Sequence, residues 1–376
     1  MKEENSPSVG IISIPPGARD PADLPFAHFY SSLGSNTGNM MFTVAVHKQM
    51  RGNVERVPYS FDSQKVNDEY DYIIIPCANW LNPRVEWDWF CDLLEQVEIP
   101  VIPVGLGVQS PHSDLDRVSV SASSERLAHI FSQKANFISV RGDFTRNYLH
   151  SIGIDNVVTT GCPSLYMRIS EDAIYDPEGE IAILSTRYPI RQDFLDIKSL
   201  NNGLFKVAAK QDLDIIFQSE REEMEYLFYK NKKALFPENI PDGVQQVYGF
   251  ETPEQLVDFI DRKGRCFTDL KEWAAYAQTK AGIVGTRLHG TILALNAGCP
   301  AVLFAHDSRT TEMITFASLP TAQTPADFEN LNPSSLQALI KPDDYGKYVE
   351  KRQDNTQIYR DFLDENGVSY NEDVMF

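Results

Sequence analysis

Short runs of β-branched and apolar residues alternate with longer amphipathic stretches along the whole chain, which is the pattern of β-α units that build parallel sheets. The apolar runs predict strands at Val9–Ile14, Tyr72–Ile75, Val101–Val104, Phe137–Val140, Val157–Thr159, Ile181–Leu184, Leu213–Phe217, Val244–Tyr248, Ala281–Val284 and Ala301–Phe304. The amphipathic stretches predict helices near Met40–Met50, Val85–Gln96, Ser124–Gln133, Asp143–Ser151, Glu220–Tyr229, Pro253–Ile260, Leu270–Gln278 and Leu288–Ala297. We therefore expect an α/β fold.

The strands fall into two series, separated by a charged loop from Ser170 to Gly179. With 376 residues the chain exceeds the span of about 250–300 residues that one hydrophobic core organises. We therefore predict an N-terminal domain over residues 1–170, a C-terminal domain over residues 180–325 and a helical tail over residues 326–376. Each domain is expected to be an open parallel α/β sheet, and the tail ends in an amphipathic segment near Tyr348–Leu363.

The composition is that of a globular protein with a strong negative charge. The formal net charge is −19, and no run of five Lys or Arg residues interrupts it, so nucleic acid and anionic lipid surfaces are disfavoured as partners. Arginines that gather in a cleft of such a protein indicate a small anionic ligand. The chain has no apolar stretch of 18 residues and begins with acidic and polar residues, so we expect no transmembrane segment and a cytoplasmic location.

Several kinds of site are not indicated by the sequence. The five cysteines are widely spaced and include no C-x-x-C pair, and the seven histidines show no H-x-x-x-H spacing, so we expect neither disulfides nor a metal site. The chain also lacks the G-x-S-x-G motif of serine hydrolases and the P-loop of nucleotide-binding proteins.

Four arginines lie just beyond predicted strands, where open parallel sheets bind their ligands. They are Arg141, Arg187, Arg287 and Arg309. Because arginine binds carboxylate and phosphate through two parallel donors, the group predicts a site for an anion with more than one charged group. The alternative for any one of them is an ion pair with a nearby acid such as Asp143 or Asp307.

The segment from Gly285 to Gly290 joins a predicted strand to a predicted helix, so the N–H groups of Thr286, Arg287 and Leu288 would attract an anion. His289 falls in the first turn, where the helix dipole favours the neutral imidazole that accepts a proton. Gly285 and Gly290 would let a ligand approach the backbone. A purely structural role for the histidine is the alternative.

Two further glycine-containing loops are weaker signals. Gly105-Leu106-Gly107 follows a strand but lacks the third glycine of a dinucleotide fingerprint, so a tight turn is the simpler interpretation. The loop Asn36-Thr37-Gly38-Asn39 precedes a predicted helix and fits either a helix cap or a loop that holds substrate.

Taken together, four stretches of the chain resemble the polysaccharide pyruvyl transferase family. They are Val140-Arg141-Gly142-Asp143, Thr160-Gly161-Cys162-Pro163-Ser164-Leu165, Gly285-Thr286-Arg287-Leu288-His289-Gly290-Thr291-Ile292 and Ala297-Gly298-Cys299-Pro300-Ala301-Val302. The resemblance implies two Rossmann-like domains facing a cleft in a GT-B-like architecture. It also implies transfer of a pyruvyl group from phosphoenolpyruvate to a sugar, commonly as a cyclic ketal, without metal or cofactor.

The same resemblance implies roles for individual residues. Arg287 and His289 match the central motif of the family and are the predicted catalytic residues. Arg141 matches an arginine of the first domain, Arg309 stands where many relatives have lysine, and Asn36 and Gly38 match an early Asn-x-Gly loop. The predicted substrate-binding residues are Arg141, Arg187, Arg309, Thr286, Leu288, Gly285, Asn36, Gly38, Gly105 and Ser164.

The chain departs from the family pattern mainly in its first half. Cys162 stands where many members have aspartate, Cys77-Ala78-Asn79 replaces a glycine-rich turn, and Asn39 replaces a frequent aspartate. The resemblance implies that the N-terminal domain is the acceptor side and the C-terminal domain the donor side. These changes therefore leave the acceptor sugar open, together with whether it is free, nucleotide-bound or lipid-linked. Two other functions also stay open at this point: a GT-B glycosyltransferase that uses a nucleotide sugar, and a non-catalytic protein that binds an anion or a sugar.

Overall fold

Two separate parallel sheets form the framework of the protein. The computed structural model describes residues 6–15, 25–110, 114–170, 179–184, 200–229, 240–324 and 331–376. The first sheet has the strand order β2-β1-β3-β4, and a short parallel pair, β5 and β6, continues it through a bridge between Leu106 and Val140. Its strands are β1 (Ser8–Ile12), β2 (Asn53–Val57), β3 (Tyr72–Pro76), β4 (Val101–Val104), β5 (Ile138–Val140) and β6 (Val157–Thr159).

The second sheet has the strand order β11-β10-β7-β8-β9, and every pair in it is parallel. Its strands are β7 (Ile181–Leu184), β8 (Asp214–Phe217), β9 (Gly264–Cys266), β10 (Gly282–Gly285) and β11 (Ala301–Leu303). All residues of β7, β8, β10 and β11 are buried, because helices cover both faces of the sheet. Burial on both faces explains why these strands are continuous apolar runs in the sequence.

Helices connect the strands, and several begin at a side chain that accepts hydrogen bonds from the first turn, such as Asp62, Ser121 and Asp269. The helices are α1 (Phe26–Ser32), α2 (Asn39–Gln49), α3 (Ser63–Glu69), α4 (Asp88–Glu95), α5 (Ala122–Lys134), α6 (Asp143–Ser151), α7 (Leu200–Gln211), α8 (Arg221–Phe228), α9 (Val244–Val247), α10 (Pro253–Lys263), α11 (Leu270–Ala277), α12 (Leu288–Asn296), α13 (Ser308–Ala317), α14 (Pro333–Gln337) and α15 (Pro342–Glu365). None of the helices described is long and apolar enough to cross a membrane.

Two segments cross between the sheets and tie the halves together. The tail helix α15 contacts the first half, where Tyr359 Oη donates to Gln49 Oε1 at 3.2 Å, and the second half, where Tyr348 Oη donates to Asn296 Oδ1 at 2.7 Å. Near the N-terminus, Tyr30 of α1 donates from its hydroxyl to the Ser219 carbonyl at 2.7 Å. The Thr37 N–H then donates to the Gln218 carbonyl at 2.9 Å, which holds the loop before α2 against the end of β8.

The expected fold class, two parallel α/β sheets with a helical C-terminal segment, is confirmed. The strand predicted at Val244–Tyr248 is wrong, because the segment forms α9 after Gly243, whose φ is +80°. Val244 and Tyr248 are buried in the second-half core at a spacing of four residues, so the apolar pattern there is helical. The limits of the two domains stay a prediction, since α1 and α15 each pack outside their own stretch of sequence.

Candidate active site

The carboxyl ends of the two sheets face each other and are in direct contact. Ser308, which follows β11, donates from its hydroxyl to the Ser110 carbonyl beyond β4 at 2.8 Å. Beside this contact, Cys162 of the loop after β6 meets His289 of α12. Residues that follow the strands of both halves therefore line one shared cleft, which is where parallel sheets place their ligand sites.

His289 lies buried where the two halves meet, with 9% of its surface exposed. Its Nε2 atom is 3.7 Å from Cys162 Sγ, and its ring centre lies 5.2 Å from that of Phe42. Burial, followed by the positive charges of Arg141 and Arg309, holds the pKa of His289 well below its usual value of 6.5. The imidazole is therefore neutral at pH 7 and able to accept a proton.

Arg141 is almost completely buried, with 1% of its surface exposed, and its donors bind neutral acceptors. Nε donates to the Gly105 carbonyl at 3.0 Å, Nη1 to Asn79 Oδ1 at 3.2 Å and Nη2 to the Cys77 carbonyl at 3.4 Å. Gly105 has φ of +72°, and this bend at the end of β4 presents its carbonyl to the guanidinium. Beyond it the chain continues alongside β5 through the parallel bridge of Leu106 with Val140 and does not reverse in a tight turn. Because these acceptors carry no charge, the field of Arg141 extends to His289.

Arg287 and Arg309 form ion pairs within the second half. Arg287 donates from Nη2 to Ser219 Oγ at 2.6 Å and to Glu220 Oε1, and Glu220 is fully buried. Arg309 Nη2 lies 3.2 Å from Asp307 Oδ2. The alternative of pairing with nearby acids thus applies to both, although Arg309 still lowers the pKa of His289. Arg187 lies outside the residues that the structure describes.

The glycines of the central motif have a packing role that corrects our expectation about ligand approach. A Cβ on Gly285 would overlap the Leu184 carbonyl oxygen, and a Cβ on Gly290 would lie 2.6 Å from Leu184 Cδ2. Space beside both glycines is therefore filled by β7. The same strand accepts a hydrogen bond from Thr286, whose N–H donates to the Leu184 carbonyl at 3.0 Å. Leu288 is buried in the core. The side chain of Arg287, the residue before α12, makes no capping hydrogen bond to the first turn of this helix.

Three other predicted residues have defined places around His289. Ser164 is fully buried and donates to Cys162 Sγ at 3.1 Å, so it lies behind Cys162 instead of facing the cleft. Asn36 accepts the Gly38 N–H at 2.9 Å at the start of α2. A Cβ on Gly38 would lie 3.2 Å from His289 Cβ, which places this loop against the histidine. No side chain caps the start of α2.

Glu312 is a residue of the cleft that the sequence did not indicate. It lies on α13 with 6% of its surface exposed, and its Oε2 atom accepts the N–H of Thr145, in the first turn of α6, at 3.1 Å. Burial raises the pKa of Glu312 from 4.5 to about 7, although its bonds with Thr145 and the charge of Arg141 lower the pKa in part. A carboxyl group of the second half thus contacts the first half, and its pKa lies near neutral pH.

The raised pKa of Glu312 predicts a pH-dependent loss of stability. The folded state holds this proton more tightly than the unfolded state, so the free energy of unfolding should fall as pH rises from about 4.3 to about 7, by about 3 kcal/mol in total. In urea unfolding, the difference in free energy of unfolding between Glu312→Gln and the wild type should shift in favour of the variant by that amount as pH rises from 4.5 to 8. For the exposed control Glu272→Gln, the difference in free energy of unfolding from the wild type should not change with pH. A difference for Glu312→Gln that also did not change with pH would contradict the prediction.

The site and fold define a class of protein: a two-sheet α/β protein whose cleft holds a neutral histidine among arginines, as suits a small anionic substrate. The family model for polysaccharide pyruvyl transferase matches residues 36–308, most of the chain. The chain belongs to the polysaccharide pyruvyl transferase family, as the resemblance of its motifs indicated. No curated protein matches the chain.

Among solved structures, the chain is similar to UDP-N-acetylglucosamine 2-epimerases at low identity. For the enzyme from Rickettsia bellii the TM-score is 0.43 at 11% identity, covering 96% of this chain and 98% of that one. For the enzyme from Methanocaldococcus jannaschii the TM-score is 0.44 at 11% identity, covering 94% of this chain and 99% of that one.

Proposed function

We propose that the protein transfers the pyruvyl group of phosphoenolpyruvate to the hydroxyls of a sugar. This proposal adds a donor and a reaction to the family assignment. The observation that carries the proposal is the neutral His289, which is buried where the two sheets meet. The positive charges of Arg141 and Arg309 act on it and lower its pKa. Phosphoenolpyruvate has a carboxylate and a phosphate on one small carbon frame, and this pair of anions suits arginines from both halves together with the start of α12.

In the proposed reaction the acceptor hydroxyl adds to C2 of the donor, and the C2–C3 double bond takes a proton at the methylene carbon. His289 accepts the hydroxyl proton and supplies the proton that makes the methyl group. A second hydroxyl then forms its bond to C2 as the bond from C2 to the phosphate oxygen breaks. Its proton leaves with inorganic phosphate, and the product is a cyclic ketal.

The arginines have different parts in this proposal. Arg141 reaches the cleft from the first half with its charge uncompensated by its three acceptors, so we assign it the dianionic phosphate. Arg309, beside Asp307, and the first turn of α12 are assigned the carboxylate. Arg287 holds the start of α12 to Glu220 and so positions His289. The resemblance implies a reaction without metal or cofactor, and the sequence pattern predicts a cytoplasmic location. Both remain predictions, the first testable with a chelator in the assay.

Ligand-dependent melting tests the choice of donor. Phosphoenolpyruvate at about 100 times its Kd should stabilise the folded protein by about 2.7 kcal/mol and raise Tm, because it binds only the folded state. Uridine diphosphate at the same concentration should leave Tm unchanged. Stabilisation by uridine diphosphate and not by phosphoenolpyruvate would instead favour a glycosyltransferase that uses a nucleotide sugar.

A further inference from the structure

Gln218 is the first residue beyond β8, at the edge of the second sheet that faces the cleft, and it is 1% exposed. Its backbone is held from two sides. The N–H donates to Oε2 of the buried Glu220 at 2.8 Å, and the carbonyl accepts from the N–H of Thr37 in the first half at 2.9 Å. A backbone fixed in this way keeps the side chain in one place, which is what a preorganised binding group requires.

The side-chain amide of Gln218 lies beside His289. A Cβ on Gly38 would lie 3.2 Å from Gln218 Oε1 and 3.2 Å from His289 Cβ, so the two side chains border the same point of the backbone. Asn36 Oδ1 would lie 3.0 Å from this Cβ. Glycine at position 38 lets all three side chains approach the loop, and the amide is thereby placed on the His289 side of the cleft.

The amide oxygen of Gln218 is buried and has no hydrogen-bond partner among the residues that the structure describes. A carbonyl oxygen in such a place destabilises the empty protein, because it loses its contact with water and gains no donor. Native proteins keep few such groups. Beside a candidate active site, a ligand that supplies the missing donor accounts for this one.

The chemistry of the amide oxygen decides which ligand group it binds, since this oxygen accepts hydrogen bonds and does not donate them. The carboxylate and the ionised phosphate of phosphoenolpyruvate offer only acceptors, whereas each sugar hydroxyl has an O–H. In the proposed reaction His289 takes the proton of the hydroxyl that attacks first, so this hydroxyl has no hydrogen left for the amide. The hydroxyl that closes the ketal ring keeps its O–H until the second step, and it is the group that fits.

We propose that Gln218 is a further substrate-binding residue, whose amide oxygen accepts a hydrogen bond from the second hydroxyl and holds it beside the first. The inference rests on the proposed function, because it assigns a residue to the ring-closing step of that reaction. Phosphate leaves in this step, as the second oxygen forms its bond to C2. Loss of the amide therefore slows phosphate release and leaves the binding of phosphoenolpyruvate intact.

Gln218→Met tests the inference, because methionine has a similar length and lacks the amide. In the phosphate-release assay its kcat should fall at least about tenfold, while stabilisation by phosphoenolpyruvate should persist. Its Tm without ligand should equal or exceed that of the wild type, since the variant removes an unpaired buried oxygen. Gln64→Met changes an exposed glutamine on α3, and it should match the wild type in kcat.

Gln49→Met is the control for stability. The Gln49 amide is also fully buried, but its nitrogen donates to the Pro163 carbonyl at 3.0 Å and its oxygen accepts from Tyr359 Oη at 3.2 Å, so this variant should lower Tm. A similar loss of Tm in Gln218→Met would give its amide a structural role, such as a bond from the nitrogen to Asn36 Oδ1, and would overturn the inference.

The wild type and Gln218→Met together separate the inference from the proposed function. Phosphate release by the wild type, with kcat of Gln218→Met within about threefold of it, would overturn the inference and leave the proposed function intact. Loss of stabilisation by phosphoenolpyruvate in the variant would place the amide on the donor and also overturn the inference. If the wild type released no phosphate with any glycoside, the proposed function would fail and the inference with it.

Discussion

Replacing His289 with glutamine is expected to lower kcat for pyruvyl transfer by about 10²-fold or more, because the reaction loses the group that accepts and returns the proton. Glutamine keeps a polar side chain of similar length against Phe42 and Cys162, so the substitution alters the chemistry more than the packing. The measurement is phosphate release under saturating donor and acceptor. Stabilisation by phosphoenolpyruvate should persist in His289→Gln, because the arginines remain in place.

His129→Gln provides the matched control, since His129 is exposed on α5. It should retain the activity of the wild type. If His289→Gln also stayed within about threefold of the wild type, the histidine would not carry the proton, and a role confined to packing would explain its burial.

Replacing Glu220 with alanine is expected to lower the free energy of unfolding by about 3–5 kcal/mol, the usual cost of removing one partner of a buried ion pair. The substitution leaves Arg287 without its carboxylate. It also removes the acceptor for the N–H groups of Gln218 and Ser219, which donate to Glu220 Oε2 at 2.8 and 3.0 Å. Urea unfolding at pH 7 measures the effect.

The exposed Glu272 in the first turn of α11 gives the control for this experiment. Glu272→Ala should cost less than about 1 kcal/mol, since it removes only a charge near a helix start. A similarly small loss for Glu220→Ala would show that the pair with Arg287 does not hold α12 to the end of β8. The role given to Arg287 in positioning His289 would then be wrong.

The sequence predicted the fold well where burial on both faces makes a strand a continuous apolar run, as in β3 and β7. It failed where the pattern was short or polar. The edge strand β2, Asn53–Val57, is mostly exposed and so lacks an apolar run. The short helix α9 has too few residues for its period to be distinguished from that of a strand.

The sequence indicated where several candidate residues lie but not which residues they contact. The position of Arg141, Arg309 and His289 beyond strands indicated one cleft, and the structure brings their charges within reach of one another. The partner of Arg287 is 67 residues away, and Glu312 meets Thr145 across 167 residues. Such contacts depend on how the two sheets are placed, which no local pattern encodes, so neither acid could be assigned before the structure.

The most direct test of the proposed function is incubation of the purified protein with phosphoenolpyruvate and a panel of glycosides, followed by phosphorus and proton NMR. The proposal predicts that inorganic phosphate appears only when an acceptor glycoside is present, together with the methyl signal of a new ketal on that glycoside. The contradicting result is that no glycoside supports phosphate release while a nucleotide sugar is consumed under the same conditions.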